Sequence, residues 1–148
     1  MRSAECMDHA NADAIRRALL TCWRLSEPLY VDRVRPGGAT SDVFDVRADD
    51  GRRFAAKLTY DLRTVVEPGL RAAEHVEQRT GVRTGRPVRA IDGSVTVDTD
   101  SVAGLQHPLA LMERVDGAAV RVGERAEECG RLLALVHLAQ LPRPVTQA

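Results

Sequence analysis

The chain predicts an α+β domain: a five-stranded antiparallel sheet, one helix packed on it, and further helices at the N- and C-terminal ends. Three observations predict it. Apolar residues recur at helical spacing up to residue 24 and then switch to a period of two. Turn signals at Gly37-Gly38, Asp49-Asp50-Gly51 and Asp92-Gly93 punctuate the period-two stretches. Between them lies one good helical pattern in mid-chain. The length of 148 residues suits a single unit, 1–148, with its own core.

In chain order, Asn11 or Asp13 is placed to cap a helix over about 12–24, with Ile15, Ala18, Leu19, Cys22 and Trp23 forming its apolar stripe. LYVDRV and DVFDVRA then alternate as two strands around a Gly-rich tip, with Phe44 and Val46 on one face. The turn at Asp49-Asp50-Gly51 reverses the chain into RRFAAKLTY. There Phe54, Ala56 and Leu58 face one side and Ala55 and Lys57 the other. Glu67-Pro68-Gly69 opens a helix that Gly81 stops. PVRAIDGSVTVDTD reads as a hairpin, and HPLALMERVDG as an apolar strand ending in a turn at Asp116-Gly117. A last helix is expected over about 123–140, with Ala126, Cys129, Leu132, Leu133 and Val136 inward.

Composition narrows the partners. Basic and acidic residues balance at 21 each, so no net field draws nucleic acid or an anionic membrane. Three cysteines at unrelated spacings make neither a disulfide framework nor a metal cluster, which fits a reducing cytoplasm. No stretch approaches membrane-spanning length, and the N-terminus does not read as a signal peptide. Asp98-Thr99-Asp100 reads as a solvated turn and not a cation site. His75 and His107 lack companions at zinc-ligand spacing.

The order of parts is the informative feature: strand, Gly-rich tip, strand, turn, strand with the chain's only lysine, helix with glutamates, hairpin, apolar strand, turn. In this order the chain resembles the nucleotide-binding small lobe of the aminoglycoside phosphotransferase family, of protein-kinase-like fold, over about residues 12–141. A hairpin tip with little side-chain bulk lets backbone N–H groups approach phosphate oxygens, which suits Gly37, Gly38, Thr40 and Ser41. FAAKL resembles the V-A-I-K strand of that fold. By that resemblance Lys57 contacts the α- and β-phosphates of ATP, and Ala55 roofs the adenine. The resemblance assigns Glu74, 17 residues past Lys57, to orient the ammonium, with Glu77 one turn on as the second choice. LALMERVDG resembles the hinge between lobes, so the carbonyl of Glu113 and the N–H of Val115 would pair with adenine, and Met112 would guard the back of the pocket.

The same resemblance shows what to look for and not find. None of the four histidines is followed by Gly-Asp, and no downstream metal-binding motif is present. GRLLALVHLAQLPRP, residues 130–144, resembles the helix that opens the large lobe of the family, expected here over about 123–141. The expectation is an ATP-binding lobe that does not transfer phosphate alone, with magnesium held only when the large lobe is present. The other reading is a non-catalytic interaction module on a kinase-like scaffold. Leu132–Ala139 is apolar nearly all round, so self-association through this helix, its packing back onto the sheet, or a partner lobe is expected.

Overall fold

The computed structural model describes residues 4–34, 40–100, 105–117, 121 and 123–140, with main chain only for 4–10. Three helices and five strands follow in the order α1 (Ala4–Cys22), β1 (Tyr30–Arg33), β2 (Ser41–Arg47), β3 (Arg53–Thr59), α2 (Arg63–Thr80), β4 (Val97–Asp100), β5 (Gln106–Glu113) and α3 (Ala126–Leu138). The strands form one antiparallel sheet in the order β1-β2-β3-β5-β4, the five-stranded α+β architecture expected.

The period-two alternation does the sorting. Phe44 and Val46 on β2, Phe54, Ala56 and Leu58 on β3, and Leu109 and Leu111 on β5 are all buried and meet Ile15 and Leu19 of α1 in one core. Directly opposed residues share a face. The other face therefore carries Val43, Lys57 and Ala110 in one row, and Asp45, Ala55 and Met112 in the next. Trp23 closes one end of the core and donates its indole N–H to the Val88 carbonyl at 2.8 Å.

α2 lies on the Lys57 side. Its Arg63 pairs with Asp98 at 2.9 Å, and Asp98 stands opposite Pro108, two residues before Ala110 in the alternation. Further along, the Thr96 hydroxyl donates to Glu67 at 2.7 Å, Arg89 pairs with Glu74, and Glu77 accepts from Thr84 and lies near Arg86. Four rungs thus tie α2 to the 84–98 segment along the edge of the sheet. α3 packs against α2, where the His75 ring nitrogen Nε2 meets the Ala139 carbonyl at 2.9 Å.

Several expectations need correction. α1 begins at Ala4 and not near residue 12, because Ala4, Glu5, Met7 and Ala10 favour continuing the helix upstream. α2 begins at Arg63, so Pro68 sits inside it, past the first turn where its missing N–H costs nothing. Gly81 does end α2, in the left-handed conformation (φ 70°), donating its N–H to Glu77. The Asp92-Gly93 turn exists and is closed by the Ala90 N–H to the Ser94 carbonyl and the Gly93 N–H to the Ala90 carbonyl, both at 2.9 Å, but beyond it the two arms do not pair with each other as strands. Both run along β5: Val88 donates to Leu111 and Glu113 donates to Arg86 on one stretch, and β4 pairs on the other. Asp98–Asp100 is therefore strand β4, with Asp98 held by Arg63, and not a solvated turn.

α3 is rotated from its expected setting. Leu132, Leu135 and Val136 are half-buried and Ala139 buried, whereas Ala126, Cys129 and Leu133 face outward. An apolar surface nearly all round leaves no periodicity from which to choose a face. Among the described residues Leu133 and Leu138 of this helix are exposed, at 58% and 73%.

Candidate functional site

The face of the sheet opposite α1 carries Ser41, Ala55, Lys57 and Met112, whereas Glu113 stands opposite Phe54 and so falls in phase with the core face. Lys57 is half-buried between Val43 and Ala110. Among the described residues its ammonium has neither an ion pair nor a hydrogen bond. One step along β3, Ala55 stands directly opposite Met112, so the small residue and the methionine form a shallow floor beside the lysine. One step the other way, Ser41 stands opposite Thr59, both buried, and the Thr59 hydroxyl has no partner among the described residues. Thr40 is exposed and its carbonyl accepts the Tyr60 N–H at 2.9 Å, closing the ladder beneath the tip. Gly37 and Gly38 lie outside the described residues.

The carboxylates of α2 are on this side but committed elsewhere. Glu74 takes a two-pronged ion pair from Arg89, Nε to Oε1 at 3.0 Å and the terminal nitrogen to Oε2 at 2.5 Å. The expected contact of Glu74 with Lys57 is not made. Glu77 accepts the Thr84 N–H at 3.0 Å and hydroxyl at 3.1 Å. The Thr84 amide first, with its hydroxyl and Arg86 adding, holds the Glu77 carboxyl below the usual range against the opposing effect of burial.

Glu113 closes β5, level with Phe54 and one residue past Met112. Its side chain accepts Arg86 at 2.9 Å, and its N–H donates to the Arg86 carbonyl. Val115 follows, exposed. Gly85 has a positive φ (69°), and a Cβ built on it would stand 3.2 Å from the Glu113 carbonyl oxygen, so a side chain here would be strained in the main chain and crowded against β5.

Sequence reasoning missed a charged cluster here. Asp45, level with Ala55 and Met112, accepts a hydrogen bond from Arg114 and is paired with Arg53 at 3.1 Å. A second one lies on the α1 face, where the buried Asp42 accepts from both Arg33 and the Tyr60 hydroxyl. The signal for Asp42 was present in the sequence: it falls in phase with Phe44 and Val46, a carboxylate at a core-facing position.

Comparison with solved structures fixes the architecture. Amicoumacin kinase hAmiN, solved in complex with AMP-PNP, Ca2+ and Ami, matches 99% of this chain with a TM-score of 0.73 at 14% identity. Spectinomycin phosphotransferase APH(9)-Ia, solved with ADP and spectinomycin, matches 88% with a TM-score of 0.66 at 11% identity. The fold is kinase-like. The chain spans 45% and 39% of these two larger proteins, and the matched stretch is their N-terminal part. No protein-family model and no curated protein matches the sequence.

Within the kinase-like fold, the described residues contain no group of three His, Cys, Asp or Glu side chains that could hold a metal ion. None of the described helices is long and apolar enough to cross a membrane. Cys22 and Cys129 are free thiols.

Proposed function

We propose that the chain is the ATP-binding lobe of a small-molecule kinase of the aminoglycoside phosphotransferase type, binding nucleotide on the Lys57 face and not transferring phosphate by itself. The observation that carries this is Lys57: a half-buried ammonium without a partner among the described residues, on the face that α1 leaves open, one row from the Ala55–Met112 floor. A cation held partly out of water with no counter-charge favours an anionic ligand, and a compact ammonium suits a polyphosphate. The kinase-like neighbours solved with AMP-PNP and ADP support nucleotide as that ligand.

On this reading the base rests on Ala55 and Met112 beside the main chain of Glu113 and Val115, Lys57 meets the α- and β-phosphates, and Thr40, Ser41, Gly37 and Gly38 form the tip over them. The described residues supply no cation site, so magnesium would be held by groups beyond them. No His-Gly-Asp is present, so the groups that position an acceptor hydroxyl must also come from elsewhere. The exposed Leu133 and Leu138 of α3 support a partner lobe or self-association at that helix, and the free thiols support a cytoplasmic setting. The alternative, an interaction module without nucleotide, draws on the engagement of Glu74 by Arg89.

The test is thermal unfolding with and without ATP. At about a hundredfold excess over the dissociation constant, a ligand that binds only the folded state adds about 2.7 kcal/mol, or roughly 5–10 °C in Tm for a domain of this size. No shift at millimolar ATP would sink the proposal in favour of the interaction module.

The same experiment resolves the two partners of Glu74. Arg89 is 42% exposed at its side chain and Glu74 14%, so releasing Glu74 from Arg89 leaves a mostly buried carboxylate seeking a cation. Arg89→Gln is expected to free Glu74 for Lys57 and tighten ATP binding about fivefold, the scale of a partly exposed pair. The gain should vanish in the Arg89→Gln, Glu74→Gln double variant. Weaker binding in the single variant would show that Arg89 supports the site as it stands.

A further inference from the structure

The geometry points to a base-stacking wall built from Arg114, a binding element that deepens the nucleotide reading above and rests on it. Arg114 follows Glu113 at the end of β5, and its guanidinium donates to Asp45 on β2. β2 and β5 flank β3, about 4.8 Å away on either side. A side chain that starts beyond the end of β5 and reaches a carboxylate on β2 therefore lies across β3, on the face that carries Ala55 and Lys57.

What this crossing encloses is a trough. Its floor is Ala55, which contributes only a methyl group, with Met112 on one side and Asp45 on the other. The Arg114–Asp45 bridge bounds one end. Lys57, two residues along the strand and so roughly 7 Å away, bounds the opposite end. A planar, partly desolvated ring in this trough has a guanidinium plane beside it, while anions attached to the ring fall next to the ammonium. Arginine planes stack on aromatic faces, and the carboxylate of Asp45 holds this one in place at no cost in rotamer freedom on binding. Asp45 is 19% exposed at its side chain and is also paired with Arg53, so the anchor is itself fixed from two directions. The ligand chemistry is a nucleobase carrying a polyphosphate, and Arg114 recognises the base and not the charge.

That division makes the test. Binding of ATP and of inorganic tripolyphosphate is measured by titration calorimetry for the wild type, Arg114→Ala and Arg114→Lys. Arg53 continues to neutralise Asp45 in both variants, so neither leaves a buried carboxylate unpaired. The expectation is a loss of about fivefold in ATP affinity for Arg114→Ala, with tripolyphosphate unchanged. Arg114→Lys should resemble Arg114→Ala, because it keeps the charge and loses the plane. Equal weakening of both ligands, rescue by lysine, or ATP binding unchanged in Arg114→Ala would each overturn the wall. A wild-type chain that binds neither ligand overturns the nucleotide reading itself, and is distinguished from failure of the wall by that result.

Discussion

Alanine at position 57 is expected to weaken ATP binding by about 2 kcal/mol, roughly thirtyfold, while leaving the unliganded Tm close to that of the wild type. The two halves of this expectation have separate origins. A hydrogen bond between charged groups in a partly desolvated site contributes about 1.5–3 kcal/mol, and Lys57→Ala removes the cationic partner of the phosphates. The fold does not depend on it, since among the described residues the ammonium joins no ion pair, and the neighbours Val43 and Ala110 are apolar. Calorimetric titration and an unliganded melt on the same preparation check both. Lys57→Arg discriminates further: a planar fork on a longer reach replaces a compact point charge, so only partial recovery is expected. Unchanged affinity in Lys57→Ala would mean that any nucleotide bound lies elsewhere on the chain. A collapse of the unliganded Tm would mean that Lys57 holds the fold and not a ligand.

The sequence was most legible where a repeating physical constraint acts at each residue. Alternation placed Phe54, Ala56 and Leu58 on one face and Ala55 and Lys57 on the other, because a period of two admits only two arrangements and a one-residue slip would bury the lysine. Gly81 ended α2 because the left-handed cap excludes residues with a Cβ at low cost. Legibility failed where two local signals compete. Glu67-Pro68-Gly69 imitates a helix start, yet the helix absorbs the proline one turn in, because four polar rungs along the 84–98 segment hold α2 from Arg63 onward. The arms of the Asp92-Gly93 turn imitate a hairpin, yet each finds a better partner in β5.

The candidate site divides in the same way. Ala55, Lys57 and Met112 come together because they sit on strands whose register follows from alternation. Glu74 does not meet Lys57, because helical spacing says which turn a carboxylate occupies and nothing of which cation lies nearest across a loop. Arg89 is 15 residues away in sequence and on an irregular segment. Arg53, Arg89 and Arg114 share one reason for having been missed: in a chain with 21 basic residues, 20 of them arginine, no single arginine stands out. Asp45 and Asp42 did carry a signal, as acids inside alternating strands, but alternation alone names no counter-charge.

Asp42 gives the second large effect. Its carboxylate is buried, 6% exposed at the side chain, and accepts from Arg33 and from the Tyr60 hydroxyl across β1, β2 and the end of β3. Removing this buried carboxylate takes the acceptor from the Tyr60 hydroxyl and one counter-charge from the partly exposed Arg33, so Asp42→Ala is expected to cost about 2 kcal/mol in urea unfolding at neutral pH. Asp42→Asn keeps an acceptor for Tyr60 and loses the charge, and should fall between the two. Tyr60 reports the same network independently. Burial first, then the Asp42 hydrogen bond and charge, push its phenol up to about 12, with Arg33 opposing. A folded value above the ordinary 10 means that the fold favours the neutral phenol. Its contribution is therefore complete below about pH 10 and is lost as pH rises towards 12. In a Tyr30→Phe background, tyrosinate absorbance should appear at lower pH in Asp42→Ala than in the parent. A stability change under 0.5 kcal/mol together with an unmoved Tyr60 titration would show that the carboxylate is solvated in solution, and that the sheet end beneath the tip is held by its apolar contacts alone.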